Sequence, residues 1–355
     1  MPEHPVPARP TVLVTGSAGF FGGVLVPQLI DAGYHVVGID REPHWYELNG
    51  FTPVHSDIRD AQAMGRLFAR YRFAGVVHAA AVLAHGKVDR HDLWSSNVTG
   101  TEVVGRACKE EGVGRLVFIS SNCLWAANLG RAVTELDEPN PVEIYGKSKW
   151  EGEKVLERVS AGGDLDVVTI RTPTIIEEGR LGLLAILFEF IDEGRKVWTV
   201  GGGRNRYQFI YARDLADACI AGLKHGRGVY NVGSDEVPTI AEAYEYVVRQ
   251  AGTASRVAAL PKVPTLAAMR LASALRLSPL GPYHYRMIAE DFVFDTAKIK
   301  AELSWKPTLT NGEMLWRAYR HYHEHRAEIA GRADVSAHRQ GADMGPAIRL
   351  LKWLS

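Results

Sequence analysis

Hydrophobic positions fall into two alternating patterns along this chain. Short β-branched runs are followed by longer stretches with a helical period. Thr11-Val12-Leu13-Val14 is the first run, apolar at successive positions as in a strand covered on both faces. Apolar residues at helical spacing follow from Phe21 to Ala32. Further strands are predicted over 34–40, more weakly over 53–56, then over 75–81, 116–119 and 166–171. Between them stand helical segments carrying Met64, Leu67 and Phe68, one running from Asn97 to Glu111, and one beginning at Tyr145. This alternation predicts an α/β chain with a doubly wound parallel sheet.

After Arg171 the rhythm breaks. Leu181 to Ile191 is an apolar helix candidate; 196–200 and 207–211 are short strands flanking Gly201-Gly202-Gly203. A helix from Asp214 to Leu223 and a strand over 229–232 return to the earlier pattern. Thr239 is placed to cap a helix from Ile240 to Ala251. Residues 256–285 show no period and are expected in a lobe covering a cleft; Leu315 to Glu324 is the last amphipathic helix. Beyond Ala330 the chain reads as a loose tail, with 331–345 a polar tether. A short amphipathic helix over 347–355 puts Ile348, Leu351 and Leu354 on one side. It is expected to pack back on its own lobe or a dimer mate rather than dock on a membrane or a partner, nine residues being few for an isolated helix.

The chemistry clusters at strand ends. Gly16, Gly19 and Gly22 follow the first strand at a spacing of three, G-x-x-G-x-x-G. Strand, glycine turn and helix together bind a dinucleotide pyrophosphate: small residues admit its backbone, and the helix N-terminus supplies N–H donors. Asp40 ends the second strand, about 20 residues on, where an acid takes the ribose hydroxyls. A carboxylate there repels a 2′-phosphate and favours NAD over NADP; Arg41, directly after, works against that preference. Asp57 either caps the next helix or faces an adenine amino group. His78 reads as a structural hydrogen-bonder, and Ala79-Ala80-Ala81 leave room for a flat ligand. Ser120-Ser121-Asn122 sit at the carboxyl end of a strand, where open α/β sheets bind ligands. Tyr145 and Lys149 share one helical face, so an ammonium is placed to stabilise a phenolate and lower the tyrosine pKa.

Composition narrows the field. Lys+Arg and Asp+Glu both number 41, so no global field favours nucleic acid or an anionic membrane. Three scattered cysteines suggest neither a disulfide frame nor a metal site and fit a reducing cytoplasm. The proline-rich start lacks the apolar core of a signal peptide, and no apolar run is long enough to span a membrane.

These residues together resemble the extended short-chain dehydrogenase/reductase family, which holds nucleotide-sugar epimerases and dehydratases. The matching pieces are T-G-S-A-G-F-F-G at 15–22, Asp40, Asp57-Ile58, His78-Ala79-Ala80-Ala81, Asn97-Val98-Thr99-Gly100-Thr101, Ser120-Ser121, Tyr145 with Lys149, Tyr211-Ala212-Arg213-Asp214, Tyr230-Asn231-Val232-Gly233 and Leu303-Ser304-Trp305-Lys306-Pro307. The resemblance implies a Rossmann-type NAD-binding domain over 10–172, with 207–233 returning to it. Residues 173–206 and 234–328 would form a smaller α/β substrate lobe, and 329–355 a tail. Tyr145 would be the acid/base, Ser121 its partner on the substrate oxygen, Lys149 the holder of the nicotinamide ribose, and Asn97 the support of a water relay. NAD is expected on Gly16, Ala18, Gly19, Phe20, Phe21, Gly22, Asp40, Arg41, Asp57, Ile58, Ala79, Ala80, Ala81, Asn97, Tyr145, Lys149 and Pro173. Substrate is expected on Ser121, Asn122, Tyr145, Thr174, Arg204, Arg206 and Tyr207. Relatives dimerise through the helix after Asn97 and the helix of Tyr145, so a homodimer is expected, with Val103, Val104, Ala107, Trp150, Val155 and Val159 supplying apolar surface.

Departures from the family pattern sharpen the function. Dehydratases carry Asp-Glu after the catalytic Ser/Thr, where this chain has Asn122-Cys123, so dehydration is not expected. Thr174 replaces an Asn, and Tyr207-Gln208 an Arg-Asp, at nucleotide contacts of relatives. The first reading is 4-epimerisation of a nucleotide sugar. The alternatives are oxidation or reduction of a smaller alcohol or hydroxysteroid-like substrate, and a non-catalytic NAD sensor or scaffold.

Overall fold

The computed structural model describes residues 9–84, 89–125, 128–182, 184–274, 287–330 and 352. Strands β1 (Thr11–Thr15), β2 (His35–Asp40), β3 (Phe51–His55), β4 (Phe73–His78), β5 (Arg115–Ile119) and β6 (Asp166–Arg171) share one sheet with a late strand, Gly228–Asn231. The spatial order is Gly228–Asn231, β6, β5, β4, β1, β2, β3, and every neighbouring pair is parallel. Val12, Leu13 and Val14 are fully buried, as a central strand covered on both faces requires. From β1 the chain builds outward through β2 and β3, then returns to build the other side from β4. The switch point therefore lies between the carboxyl ends of β1 and β4, where such sheets hold ligands.

Helices cover both faces. On one, α1 (Gly22–Asp31) lies beside the helix Ala212–Lys224, and their apolar residues share a core with β1, β5 and β6. On the other, α2 (Ala61–Arg70), α4 (Gly100–Glu110) and α5 (Ile144–Val159) enclose a core around Leu13, Met64, Val104, Phe118 and Leu156. The short helix α3 (Arg90–Trp94) runs into α4 through one π turn, Ser95–Thr99. Asp60, not Asp57, caps α2, its side chain accepting from the Ala63 N–H at 2.9 Å.

A separate apolar cluster centres on Phe188, Ile191, Tyr207, Val247, Leu315 and Tyr319. It joins the helices Leu184–Asp192, Ile240–Ala251 and Asn311–Glu324, with the strand pairs Lys196–Val200 with Arg256–Leu260 and Thr174–Ile176 with Phe209–Tyr211 nearby. Thr239 caps its helix in a reciprocal box with Glu242, as expected; Thr310 and Glu313 form a second box. Where no period was legible, residues 256–274 form a strand and a helix, Lys262–Ala274; 275–286 lie outside the described residues. Asp214 holds the later chain in place, its carboxylate accepting from Thr308 N–H and Oγ1 (2.8 and 2.7 Å) while its carbonyl accepts from Trp305 Nε1.

The tether over 331–345 and the helix over 347–355 lie outside the described residues except Lys352, whose ammonium reaches Glu189 and Glu193 at 2.5 and 2.8 Å. Among the described residues no helix is long and apolar enough to cross a membrane.

Candidate active site

Two halves meet at the switch point. The first is the glycine turn. Gly16 has φ +74°, and a Cβ there would stand 2.7 Å from the Ala80 backbone nitrogen. A Cβ on Gly22 would run into the Gly16 and Ser17 carbonyls. The turn therefore needs glycine both for its handedness and for its closeness to Ala79 and Ala80. No side chain caps the start of α1 and no acid lies in its first turn, so the positive end of the helix faces the turn uncompensated, although the Gly23, Val24 and Leu25 N–H groups already bond the Gly19 and Phe21 carbonyls. This cradle fits a dinucleotide pyrophosphate.

Asp40 closes the turn: Oδ2 accepts from Ala18 N–H at 2.9 Å and Oδ1 from Glu42 N–H at 3.0 Å. The loop after β2 lies across the same turn, a feature the strand pattern did not reveal. His44 Nε2 meets Ser17 Oγ at 2.7 Å, Trp45 Nε1 donates to the Ala18 carbonyl at 3.1 Å, and Tyr46 OH donates to the Ser17 carbonyl at 2.7 Å. Three adjacent rings after a strand-end acid are its one sequence signal.

Two expected cofactor contacts are turned elsewhere. Arg41 NH1 is bound by the Asp92 carboxylate at 3.1 and 3.2 Å. Asp57 accepts from Arg59 through Nε, NH2 and the backbone N–H; these bonds hold its carboxyl below the usual carboxylate range. Neither a helix cap nor a free acceptor for adenine describes Asp57 here. The Ile58 side chain is core, packed against Gly100.

The second half lies at the end of β5. Ser121 is buried; its Oγ accepts from Cys123 N–H at 3.1 Å and lies near enough to the Tyr145 hydroxyl to act on its pKa. Ser120 points instead to Glu153 (2.5 Å), whose carboxylate also takes Arg171 at 2.7 and 3.1 Å. Of the two serines, Ser121 faces the tyrosine, which the sequence could support only by alignment. Lys149, one turn along α5, lies 4.2 Å above the Phe118 ring. Burial lowers Lys149 to about 7, against the pull of Glu153. Burial, and then Cys123, raise the Tyr145 hydroxyl above its ordinary value; Ser121 and Arg180 pull it down. The expected depression of the tyrosine by Lys149 is not found: burial raises Tyr145, and Lys149 is not among the groups that act on it.

Asn97 lies in the π turn and is spent on positioning. Its carbonyl accepts from Val82 N–H at 2.7 Å, and its amide donates to the Val82 carbonyl and to Ser148 Oγ at 3.0 and 2.9 Å. Both amide hydrogens go to protein partners, so the water relay expected of Asn97 becomes a clamp here. Ser148 donates in turn to the Tyr145 carbonyl at 2.8 Å. His78 is buried between Thr15 and Thr101, at 2.6 and 2.9 Å, and burial lowers it to about 3. It is a neutral structural bridge, as expected.

Among the substrate candidates, Asn122 donates to the Tyr207 hydroxyl at 2.7 Å, and its backbone N–H to the Thr172 carbonyl at 2.9 Å, beside Pro173. Thr174 pairs with Phe209 in the short strand pair. Arg204 and Arg206 are exposed, and Arg206 lines a cavity of about 320 Å³ with Gln208, Asp235, Glu236 and Asp295. Arg180, unforeseen from sequence, stacks 5.4 Å from Phe20 of the glycine turn and acts electrostatically on Tyr145.

Residues 12–233 match the model of the NAD dependent epimerase/dehydratase family. The uncharacterized protein y4nG of Sinorhizobium fredii (strain NBRC 101917 / NGR234) is 35% identical over 93% of this chain and 82% of its own length. The probable UDP-arabinose 4-epimerase 3 of Arabidopsis thaliana is 25% identical over 84% of this chain and 77% of its own. The crystal structure of the Thermotoga maritima UDP-glucose 4-epimerase with UDP-glucose shares the fold, with a TM-score of 0.73 at 22% identity, covering 88% of this chain and 99% of that one.

Proposed function

The chain belongs to the NAD dependent epimerase/dehydratase family, and from that premise we propose that it epimerises a nucleotide sugar at C4. The observation that carries this reading is the grouping of Ser121, Tyr145 and Lys149, with Lys149 one turn along α5 from Tyr145 and Ser121 acting on the Tyr145 hydroxyl, beside the glycine cradle. NAD would lie on the Gly16–Gly22 turn with its adenosine ribose at Asp40, and when bound it supplies the hydride acceptor and donor. Tyr145 takes the proton of the substrate hydroxyl and returns it to the carbonyl oxygen after the sugar has turned over. Ser121 holds that oxygen against Tyr145. Lys149, lowered by burial to about 7 and so partly charged near neutral pH, supports the phenolate in its charged form.

Relatives named as UDP-sugar 4-epimerases support the substrate class. Dehydration is disfavoured: beside Ser121 stand an amide bonded to Tyr207 and a thiol, where elimination needs a further acid and base. The lobe that receives the sugar nucleotide would be built on the apolar cluster of Phe188, Ile191, Val247, Leu315 and Tyr319, which also takes in Tyr207, Phe209 and Tyr211.

The test is incubation of the purified protein and NAD with UDP-glucose, UDP-galactose, UDP-arabinose and UDP-glucuronic acid, followed by NMR of the products. C4 epimers are expected without net NADH. Steady NADH formation from simple alcohols, with no sugar nucleotide converted, would establish a dehydrogenase instead.

A further inference from the structure

The ends of β2 and β3 present an opposition that the sequence left open. Asp40 argues for NAD, whereas Arg41 is a cation beside the ribose position and could receive a 2′-phosphate. The structure places a third group between these alternatives. Asp92, on the short helix α3, binds Arg41 NH1 through both carboxylate oxygens at 3.1 and 3.2 Å. The same carboxylate takes Arg59 NH1 at 2.8 Å. Arg59 is otherwise occupied, with Nε and NH2 on Asp57 and NH1 shared with Ser95 at 2.9 Å. It is not available to a ligand phosphate. Arg41 is: its side chain is 43% exposed, and among the described residues Asp92 is its one hydrogen-bonded partner.

We infer that Asp92 is a positioning residue for cofactor choice, holding Arg41 away from the adenosine ribose so that the site takes NAD and rejects NADP. The inference rests on NAD as the cofactor. Two effects act in the same direction. Asp92 restrains the one cation able to meet a 2′-phosphate. Its charge also leaves three carboxylates, Asp40, Asp57 and Asp92, facing two guanidinium groups, Arg41 and Arg59, so a dianion arriving there meets a net negative rim. Removing Asp92 releases Arg41 and cancels that excess. Arg59 keeps its place because Asp57 still grips it at three nitrogens.

Calorimetric titration of NAD and NADP into the full chain separates these effects. Asp92→Asn should tighten NADP at least tenfold while NAD changes less than threefold. Adding Arg41→Ala to that variant should return NADP to within threefold of the wild type. Arg41→Ala alone, at an exposed site and safe for folding, should leave NADP within about twofold, because the wild-type arginine is already withheld. An unchanged NADP/NAD ratio in Asp92→Asn overturns the inference. So does a gain that survives Arg41→Ala, because that pair of changes restores the wild-type rim charge and removes the released arginine, leaving neither effect to account for it. A fivefold or greater NADP loss in Arg41→Ala alone would show the arginine already on the phosphate and equally overturn it, whether or not Asp92→Asn folds. A wild-type chain that binds neither dinucleotide would overturn the cofactor along with it.

Discussion

Tyr145 is the residue on which the chemistry turns. Its hydroxyl lies beside Ser121, and burial raises its pKa above the ordinary tyrosine value, so the step it takes as a base depends on the ammonium of Lys149 one turn away. Removing the hydroxyl leaves the ring and its packing but takes away the proton carrier. Tyr145→Phe should therefore lower turnover by roughly 10²–10⁴ while NAD affinity stays within about threefold; stopped turnover assays beside NAD titration check both halves. Near-normal turnover would remove Tyr145 from the mechanism. The Tyr145–Lys149 pair was legible because helical spacing alone puts the two on one face. The state of the pair was not: burial lowers Lys149 to about 7, and burial depends on Phe118 and on the elements packed around α5.

The glycine turn is an element whose requirement can be measured by contrast. Gly16 and Gly33 both have positive φ, +74° and +92°. A Cβ on Gly16 collides with the Ala80 backbone, whereas a Cβ on Gly33 meets nothing within 4 Å. Both Gly→Ala changes carry backbone strain of about 1–3 kcal/mol, so both should lower Tm by several degrees. Only Gly16→Ala should also weaken NAD, by roughly tenfold or more, since it pushes the turn away from Ala79–Ala81. Equal NAD affinity in the two variants would show that the turn does not form the pyrophosphate cradle. At this scale the sequence pointed to the right turn but missed the strap over it, because His44, Trp45 and Tyr46 act through hydrogen bonds to Ser17 and Ala18 that no periodicity encodes.

Across the whole molecule, α4 and α5 pack together on one face of the sheet. Half of the apolar residues expected to form a dimer surface are consumed inside the subunit: Val104, Ala107 and Val155 are buried, the first two in the core between the sheet and its helices. Val103, Trp150 and Val159 remain only partly covered. A homodimer joined along these two helices is therefore expected to rest on those three positions, with the Glu102–Arg106 and Glu151–Lys154 pairs flanking them. Light scattering at micromolar concentration should give twice the chain mass, and Val103→Glu with Val159→Glu should halve it. A monomeric wild type would refute this assembly.

The sequence by itself determined what repeats or alternates. Buried β-branched runs between helical segments set the parallel sheet, the spacing Gly16-Gly19-Gly22 set the turn, and Thr239 with Glu242 set a helix start; each depends on neighbours within a few residues. Tertiary structure decided everything that joins distant segments. Ser121 rather than Ser120 faces Tyr145 because Glu153, itself held by Arg171 of another element, captures Ser120. Asn97 became a clamp because Val82 and Ser148 reach it from either side. Arg41 was ambiguous beside Asp40 and lost its ambiguity to Asp92, 51 residues away. The physical reason is common to all three: a polar group about to be buried must find a partner, and only the folded chain fixes which partner is in reach.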